Sequence, residues 1–138
     1  MLEVLFDRAR IERRAAFIPY VMAGDPDLAT SELVLHALAK SGASAIELGV
    51  PYSDPLADGP SIAAAGQRAL ARGVGMTDVL ALVRRYREAA GIPIILFTYF
   101  NPVYQYGIER FAHDAADAGA CAVIVPDIAL EELDDLDV

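Results

Sequence analysis

The spacing of apolar positions changes along the chain, and each change predicts an element. Leu2, Leu5, Phe6 and Ile11 recur among charged residues at helical spacing, which predicts a short amphipathic helix over 2–14, within an N-terminal helical segment 1–14. A compact apolar run at 16–22 reads as a strand stopped by the turn-forming Gly24-Asp25-Pro26. Asp27 or Thr30 is suited to cap the helix that follows, with Leu33, Val34, Ala37 and Leu38 on one face and Gly42 at its end. A second short apolar run, 44–50, leads into a loop at 51–60. Residues 61–72 are Ala-rich and predict a helix closed by Gly73. Thr77 then caps a further helix in which Val79, Leu80, Leu82, Val83 and Tyr86 keep helical spacing as far as Gly91. The β-branched and aromatic run 92–100 predicts a third strand, 107–118 a helix ending at Gly119, 120–125 a fourth strand, and 130–138 the beginning of another helix.

Strands and helices thus alternate, and the strands are apolar throughout rather than at every second residue. Parallel strands need crossover connections and are buried on both faces, so the pattern indicates an α/β fold with a parallel sheet covered by helices. A doubly wound sheet and a (β/α) barrel both fit the alternation. A full eight-stranded barrel takes roughly 250 residues, whereas this chain of 138 supplies four predicted strands. The expectation is a single incomplete domain over 1–138, the first four β/α units of something larger.

Composition narrows the class. With 55% hydrophobic and 22% charged residues the chain is globular in character, not a disordered tail. Charged residues interrupt every apolar run well short of the roughly 18 residues of a membrane span. The first residues include Glu3, Asp7 and Arg8 and lack the features of a secretory leader. Cys121 is the single cysteine and cannot form an internal disulfide, so the expected location is the reducing cytoplasm. Of the net charge of -9, six negative charges come from Asp127, Glu131, Glu132, Asp134, Asp135 and Asp137. The remaining basic residues cluster only at Arg8 to Arg14 and Arg84 to Arg87, as solvated helix faces, and this balance disfavours nucleic acid as a partner.

Two carboxylates stand out. Glu47 interrupts the second strand where Val or Ile is usual. A side-chain period of two puts Ile46, Leu48 and Val50 on one face and Ala45, Glu47 and Gly49 on the other. Small neighbours beside a carboxylate leave room for a ligand, and carboxylates in apolar settings serve general acid–base chemistry. The alternative is a structural Glu paired with an Arg elsewhere. Asp58 ends the stiff loop Pro51-Tyr52-Ser53-Asp54-Pro55-Leu56-Ala57-Asp58-Gly59-Pro60, at the strand end where such folds handle ligands. Asp54 before Pro55 and Asp58 before Gly59 equally suit turns.

Other chemistries are poorly supplied. The only lysine, Lys40, falls at a helix end, which argues against a Schiff base. His36 and His113 lie within predicted helices without metal-ligand spacing, so no metal site is expected. Gly73-Val74-Gly75 opens no phosphate loop, and Cys121 on an apolar strand suits core packing. Strand alternation groups Tyr20 with Met22, Phe97 with Tyr99 and Ile124 with Pro126. With Ile62 after the loop these either wall a flat aromatic ligand or fill a core.

The strings Phe17-Ile18-Pro19-Tyr20-Val21-Met22-Ala23-Gly24-Asp25-Pro26 and Ile46-Glu47-Leu48-Gly49-Val50-Pro51-Tyr52-Ser53-Asp54-Pro55-Leu56-Ala57-Asp58-Gly59-Pro60 closely resemble the tryptophan synthase alpha chain family. Tyr99-Phe100-Asn101-Pro102 and Val125-Pro126-Asp127 fall where that family has corresponding segments. The similarity runs from about Phe17 to Glu132 and covers about half of the family's usual length.

The resemblance implies a parallel (β/α)8 TIM barrel that splits indole-3-glycerol phosphate into indole and glyceraldehyde 3-phosphate, a retro-aldol step of L-tryptophan biosynthesis needing no cofactor. By the match, Glu47 is the general acid–base and Asp58 holds the indole N–H, while Tyr20, Ile62, Phe97, Tyr99 and Ile124 line the indole pocket. It further implies an alpha2beta2 heterotetramer, in which the beta chain carries pyridoxal phosphate and Asp54, Pro55 and Asn101 face that partner. The family holds the substrate phosphate on loops after later strands, which these residues do not contain, so the 138-residue chain alone is expected to be a poor catalyst. A second reading is a non-catalytic module that binds and activates a beta chain through the 51–60 loop. A third is another phosphate-substrate barrel such as an isomerase.

Overall fold

The computed structural model describes residues 1–89 and 91–129. In chain order the elements are α1 (Leu2–Ile11), β1 (Tyr20–Met22), α2 (Leu28–Lys40), β2 (Ile46–Gly49), α3 (Pro60–Leu70), α4 (Met76–Glu88), β3 (Ile94–Phe97), α5 (Phe100–Tyr106), α6 (Ile108–Ala118) and β4 (Ala120–Ile124). The four strands form one sheet in the order β1-β2-β3-β4, every neighbouring pair parallel. That is the α/β alternation the strand pattern predicts.

The pleat sends alternate residues to opposite faces, and the helices take one of them. Ile46 and Leu48 of β2 and Ile94 and Leu96 of β3 are fully buried and pack with Leu35 of α2, Val79, Leu82, Val83 and Tyr86 of α4, and Phe111 and Ala115 of α6. Each such side chain contributes about 1.5–3 kcal/mol on burial, so this layer holds the fold together. The opposite face carries the half-buried Tyr20, Glu47, Phe97 and Ile124 together with the buried Met22 and Ile95.

Local chemistry fixes the connections. Asp27 caps α2: its carboxylate accepts from the Thr30 N–H at 2.7 Å and from the Thr30 hydroxyl at 3.1 Å. The fully buried Ser31 hydroxyl accepts from the Gly24 N–H at 3.0 Å and donates to the Asp27 carbonyl at 2.8 Å, so neither polar group is left unpaired. Gly24 sits at φ +84 with its α-carbon facing Val74, where a side chain would be both strained and crowded.

Several boundaries differ from expectation. β1 is confined to Tyr20–Met22 rather than 16–22. The carbonyls of Phe17 and Pro19 still accept from the Ser44 and Glu47 N–H groups, but Pro19 has no N–H to return to the ladder. Of the run 92–100 only 94–97 forms β3, and its last residue begins α5, a helix absent from the sequence reading because seven residues are too few to show a period. The helix expected to be capped by Thr77 starts at Met76, and its cap is Gly75, whose N–H donates to the Asp78 carboxylate at 3.0 Å. Cys121, expected in the core, is half-buried: Ile94 pairs with Ala120 and Ile95 with Ala122, so Cys121 is the extra residue of a bulge. The helix expected over 130–138 lies outside the described residues. Among the described residues no helix is long and apolar enough to cross a membrane.

Candidate active site

β2 delivers Glu47 to the face opposite the helices because Ile46 and Leu48 on either side are claimed by the core. The register sets Tyr20 and Ile95 beside Glu47, and Met22 and Phe97 beside Gly49, with Ile124 next to Phe97. Gly49 makes room here, since a Cβ on it would overlap the Tyr20 hydroxyl unless that ring moved. The missing side chain lets the Tyr20 ring lie across the strand, edge-on to Phe97 at 5.8 Å and 87°.

Asp58 arrives by the loop after β2. The loop is folded on itself, with the Leu56 N–H on the Asp54 carbonyl at 2.9 Å and the Asp58 N–H on the Pro55 carbonyl at 3.2 Å. Gly59 and Pro60 then start α3, proline standing at the first helical position where no N–H is needed. Underneath lies Tyr99, only 3% exposed, whose hydroxyl accepts from the Ala57 N–H at 2.9 Å. The Tyr52 ring leans on Tyr99 at 5.4 Å, and the Tyr52 hydroxyl accepts from the Asn101 side-chain amide at 3.2 Å.

The electrostatics tie these residues together. Burial first, then the charges of Asp58, Tyr99 and Glu47, hold the Tyr20 hydroxyl far above the usual phenol range. Burial, followed by interaction with the Asp58 carboxylate, also raises the Tyr99 hydroxyl, against the opposing pull of the Ala57 N–H. Both phenols therefore stay protonated and can donate. The ion pairs among the described residues join Arg8, Arg10, Arg14, Arg68, Arg85, Arg110 and His113 to acidic partners, and none takes in Glu47 or Asp58. The Arg-paired structural role for Glu47 thus has no support among these residues.

Ile62 is half-buried on the first turn of α3. Asp54 and Asn101 are exposed and Pro55 is half-buried, on the loops that the Tyr52–Asn101 hydrogen bond joins. Leu56 at the loop tip is 90% exposed. His36 packs on Tyr86 at 5.0 Å in the helical layer, and His113 is exposed on α6. Among the described residues no three His, Cys, Asp or Glu side chains are grouped to hold a metal. A cleft of about 460 Å³ lies at the opposite ends of the strands, between α1 and Ile92 and Pro93, and holds none of these groups.

Two contributors escaped the sequence reading. Tyr52 was one residue of a stiff loop, and nothing local marks its reach to Asn101. Asp127 accepts from the Phe100 N–H at 2.8 Å, beside Tyr99. Its position just past a strand's carboxyl end was the available signal.

Comparison with known proteins decides the family. The profile of the tryptophan synthase alpha chain matches residues 6–138. The chain belongs to the tryptophan synthase alpha chain family. It is 53% identical over 131 residues to the alpha chain of Prochlorococcus marinus (strain MIT 9313), covering 95% of this chain and 48% of that one. It is 50% identical over 127 residues to that of Caldanaerobacter subterraneus subsp. tengcongensis, covering 92% and 48%. The crystal structure of tryptophan synthase subunit alpha from Legionella pneumophila superposes with TM-score 0.93 at 41% identity, covering 97% of this chain and 52% of that one. Tryptophan synthase from M. tuberculosis, in an aminoacrylate- and BRD0059-bound form, gives TM-score 0.92 at 44% identity, with 96% and 53% covered. The chain spans about half the length of the curated relatives it matches. Its four β/α units are accordingly half of the family's barrel, which makes the helix-free face of the sheet a lumen wall.

Proposed function

We propose that these residues carry the alpha reaction of tryptophan synthase, the cleavage of indole-3-glycerol phosphate into indole and glyceraldehyde 3-phosphate. The observation that carries the reading is the placement of Glu47 beside Tyr20 on the helix-free face of β2, with Asp58 on the loop that follows the same strand and no ion-pair partner for either among the described residues. In this reading protonated Glu47 gives its proton to C3 of the indole, and the resulting positive charge at the ring nitrogen is balanced by Asp58 accepting from the N–H. The Glu47 carboxylate then takes the proton of the glycerol hydroxyl adjacent to the breaking bond. The electrons of that carbon–carbon bond return to the ring, which leaves indole and an aldehyde. The chemistry calls for no cofactor on this chain.

Tyr20, Phe97, Ile124 and Ile62 suit one wall of a slot for a flat ring. Tyr99 backs Asp58 from below. The exposed Asp54 and Asn101, with Pro55 between the braced loops, suit docking of a beta chain that carries pyridoxal phosphate, in an alpha2beta2 assembly working in the cytoplasm. Four β/α units offer only half of a barrel's lumen and none of the later phosphate loops. The 138-residue chain assayed alone should therefore release indole far more slowly than a full-length alpha chain.

The test is Glu47→Gln in a full-length alpha chain carrying these residues. Turnover should fall by at least about 10²-fold with little change in substrate binding. Near-normal turnover would remove Glu47 from the mechanism. Stimulation of a beta chain by the 138-residue chain, with no indole released by even the full-length form, would favour a purely activating role.

A further inference from the structure

α5 begins at Phe100 immediately after Tyr99, and Tyr99 at the cap position makes no side-chain hydrogen bond to the helix. A helix start leaves its first N–H groups without partners, and a tyrosine cannot serve them. The need is met from another strand: Asp127, beyond the end of β4, accepts from the Phe100 N–H at 2.8 Å across 27 residues of sequence. Supplying the cap from outside leaves the Tyr99 side chain free, and its hydroxyl is spent on the Ala57 N–H of the β2 loop, 42 residues away. Three successive strand ends are thereby connected: β4 through Asp127, β3 through Tyr99 and Phe100, and β2 through the loop that bears Asp58.

We propose that Asp127 is a positioning residue for Asp58: by fixing the backbone at Phe100 it sets the Tyr99 hydroxyl where the Ala57 N–H docks, and so holds the Asp58 loop in the folded form described above. Asp127 acts through Tyr99 and touches no substrate. The inference deepens the reading of Asp58 given above and rests on it for its consequence in catalysis, but the mechanical part stands apart. An ordinary structural cap would protect Phe100 and the first turn of α5 only. A positioning residue also protects Ala57.

The experiment reads both parts. In the 138-residue chain, amide hydrogen exchange followed by NMR should show Ala57 exchanging at least about tenfold faster in Asp127→Ala. Asp127→Asn keeps a carbonyl oxygen to accept from Phe100 and should leave Ala57 within about threefold of the parent. Tyr99→Phe should reproduce the Ala57 acceleration without exposing the Phe100 N–H, and it provides the same test should Asp127→Ala fail to fold. In a full-length alpha chain, Asp127→Ala should lower kcat about tenfold with KM within about twofold, and Asp127→Asn should restore most of kcat. Unchanged Ala57 exchange in Asp127→Ala, or in Tyr99→Phe, overturns the proposal whatever happens to turnover. Faster Ala57 exchange in Asp127→Ala, with no indole released by the full-length parent, would instead sink the catalytic reading and leave the brace intact.

Discussion

The two faces of the sheet obey different rules although they alternate residue by residue along the same strands. On the helical side, Ile46, Leu48, Ile94 and Leu96 are sealed from water and meet branched and aromatic partners from three helices. On the lumen side, Tyr20, Glu47, Phe97 and Ile124 stay half-buried, a carboxylate sits mid-strand, and a glycine replaces a side chain altogether. Hydrophobic burial concentrated in one layer stabilises the sheet enough that the other layer is free to hold groups a core would reject. The difference separates the two faces within a single strand: Leu48 is sealed in the core, and Glu47, in the proposed reading, serves the chemistry.

Mutations in adjacent residues of β2 test that separation most directly. Leu48→Ala should cost about 2–5 kcal/mol, the usual toll for emptying a packed apolar site, seen as a lower urea midpoint. Glu47→Gln, one residue away, should stay within about 0.5 kcal/mol of the parent. Equal losses would mean that the lumen face is as much a structural core as the helical one. Gly49→Ala falls between them, at about 1–3 kcal/mol, because its new methyl group must displace the Tyr20 ring. The edge-on contact with Phe97 goes with it, visible as shifted Tyr20 and Phe97 ring resonances. Replacing Tyr20 by Ala in the Gly49→Ala background should recover part of the loss.

The helical face was the legible one. Apolar periodicity identified Val79, Leu82, Val83 and Tyr86 as one side of a helix, and the unbroken apolar strands announced a sheet with helices over it, because burial leaves a repeating trace. The lumen showed itself only through exceptions: Glu47 where Val or Ile is usual, and a loop with three prolines between 51 and 60. What stayed hidden depended on contacts far apart in sequence. Tyr52 to Asn101, Tyr99 to Ala57 and Asp127 to Phe100 are single hydrogen bonds between different β/α units, and no local pattern encodes a partner 27 to 49 residues away. The division of 92–100 into a strand and α5 was hidden for a related reason, since an aromatic run suits a strand until tertiary contacts end it.

The smallest predicted effect contrasts the partnered carboxylates of the first β/α turn with Glu47 and Asp58, which have no ion-pair partner among the described residues. Asp25 receives both N–H groups of the Arg68 fork at 2.7 Å each, and this pairing holds its carboxyl below the usual carboxylate range. Hydrogen bonds from Thr30 lower Asp27 likewise. A carboxyl depressed in the folded state adds stability above its unfolded pKa, about 3.9, and that contribution disappears as pH falls through the folded value. Stability should therefore decline on acidification below about pH 4, and Arg68→Ala should change the shape of that decline. Near neutrality the variant should be slightly less stable than the parent, a small difference because the Arg68 side chain is more than half exposed. Once the pH lies below the depressed folded value, with Asp25 protonated in folded and unfolded chains alike, the two unfolding curves should converge. A gap that persists in acid would assign Arg68's contribution to the packing of its aliphatic stem, and the first β/α turn would then be held by contact rather than by charge.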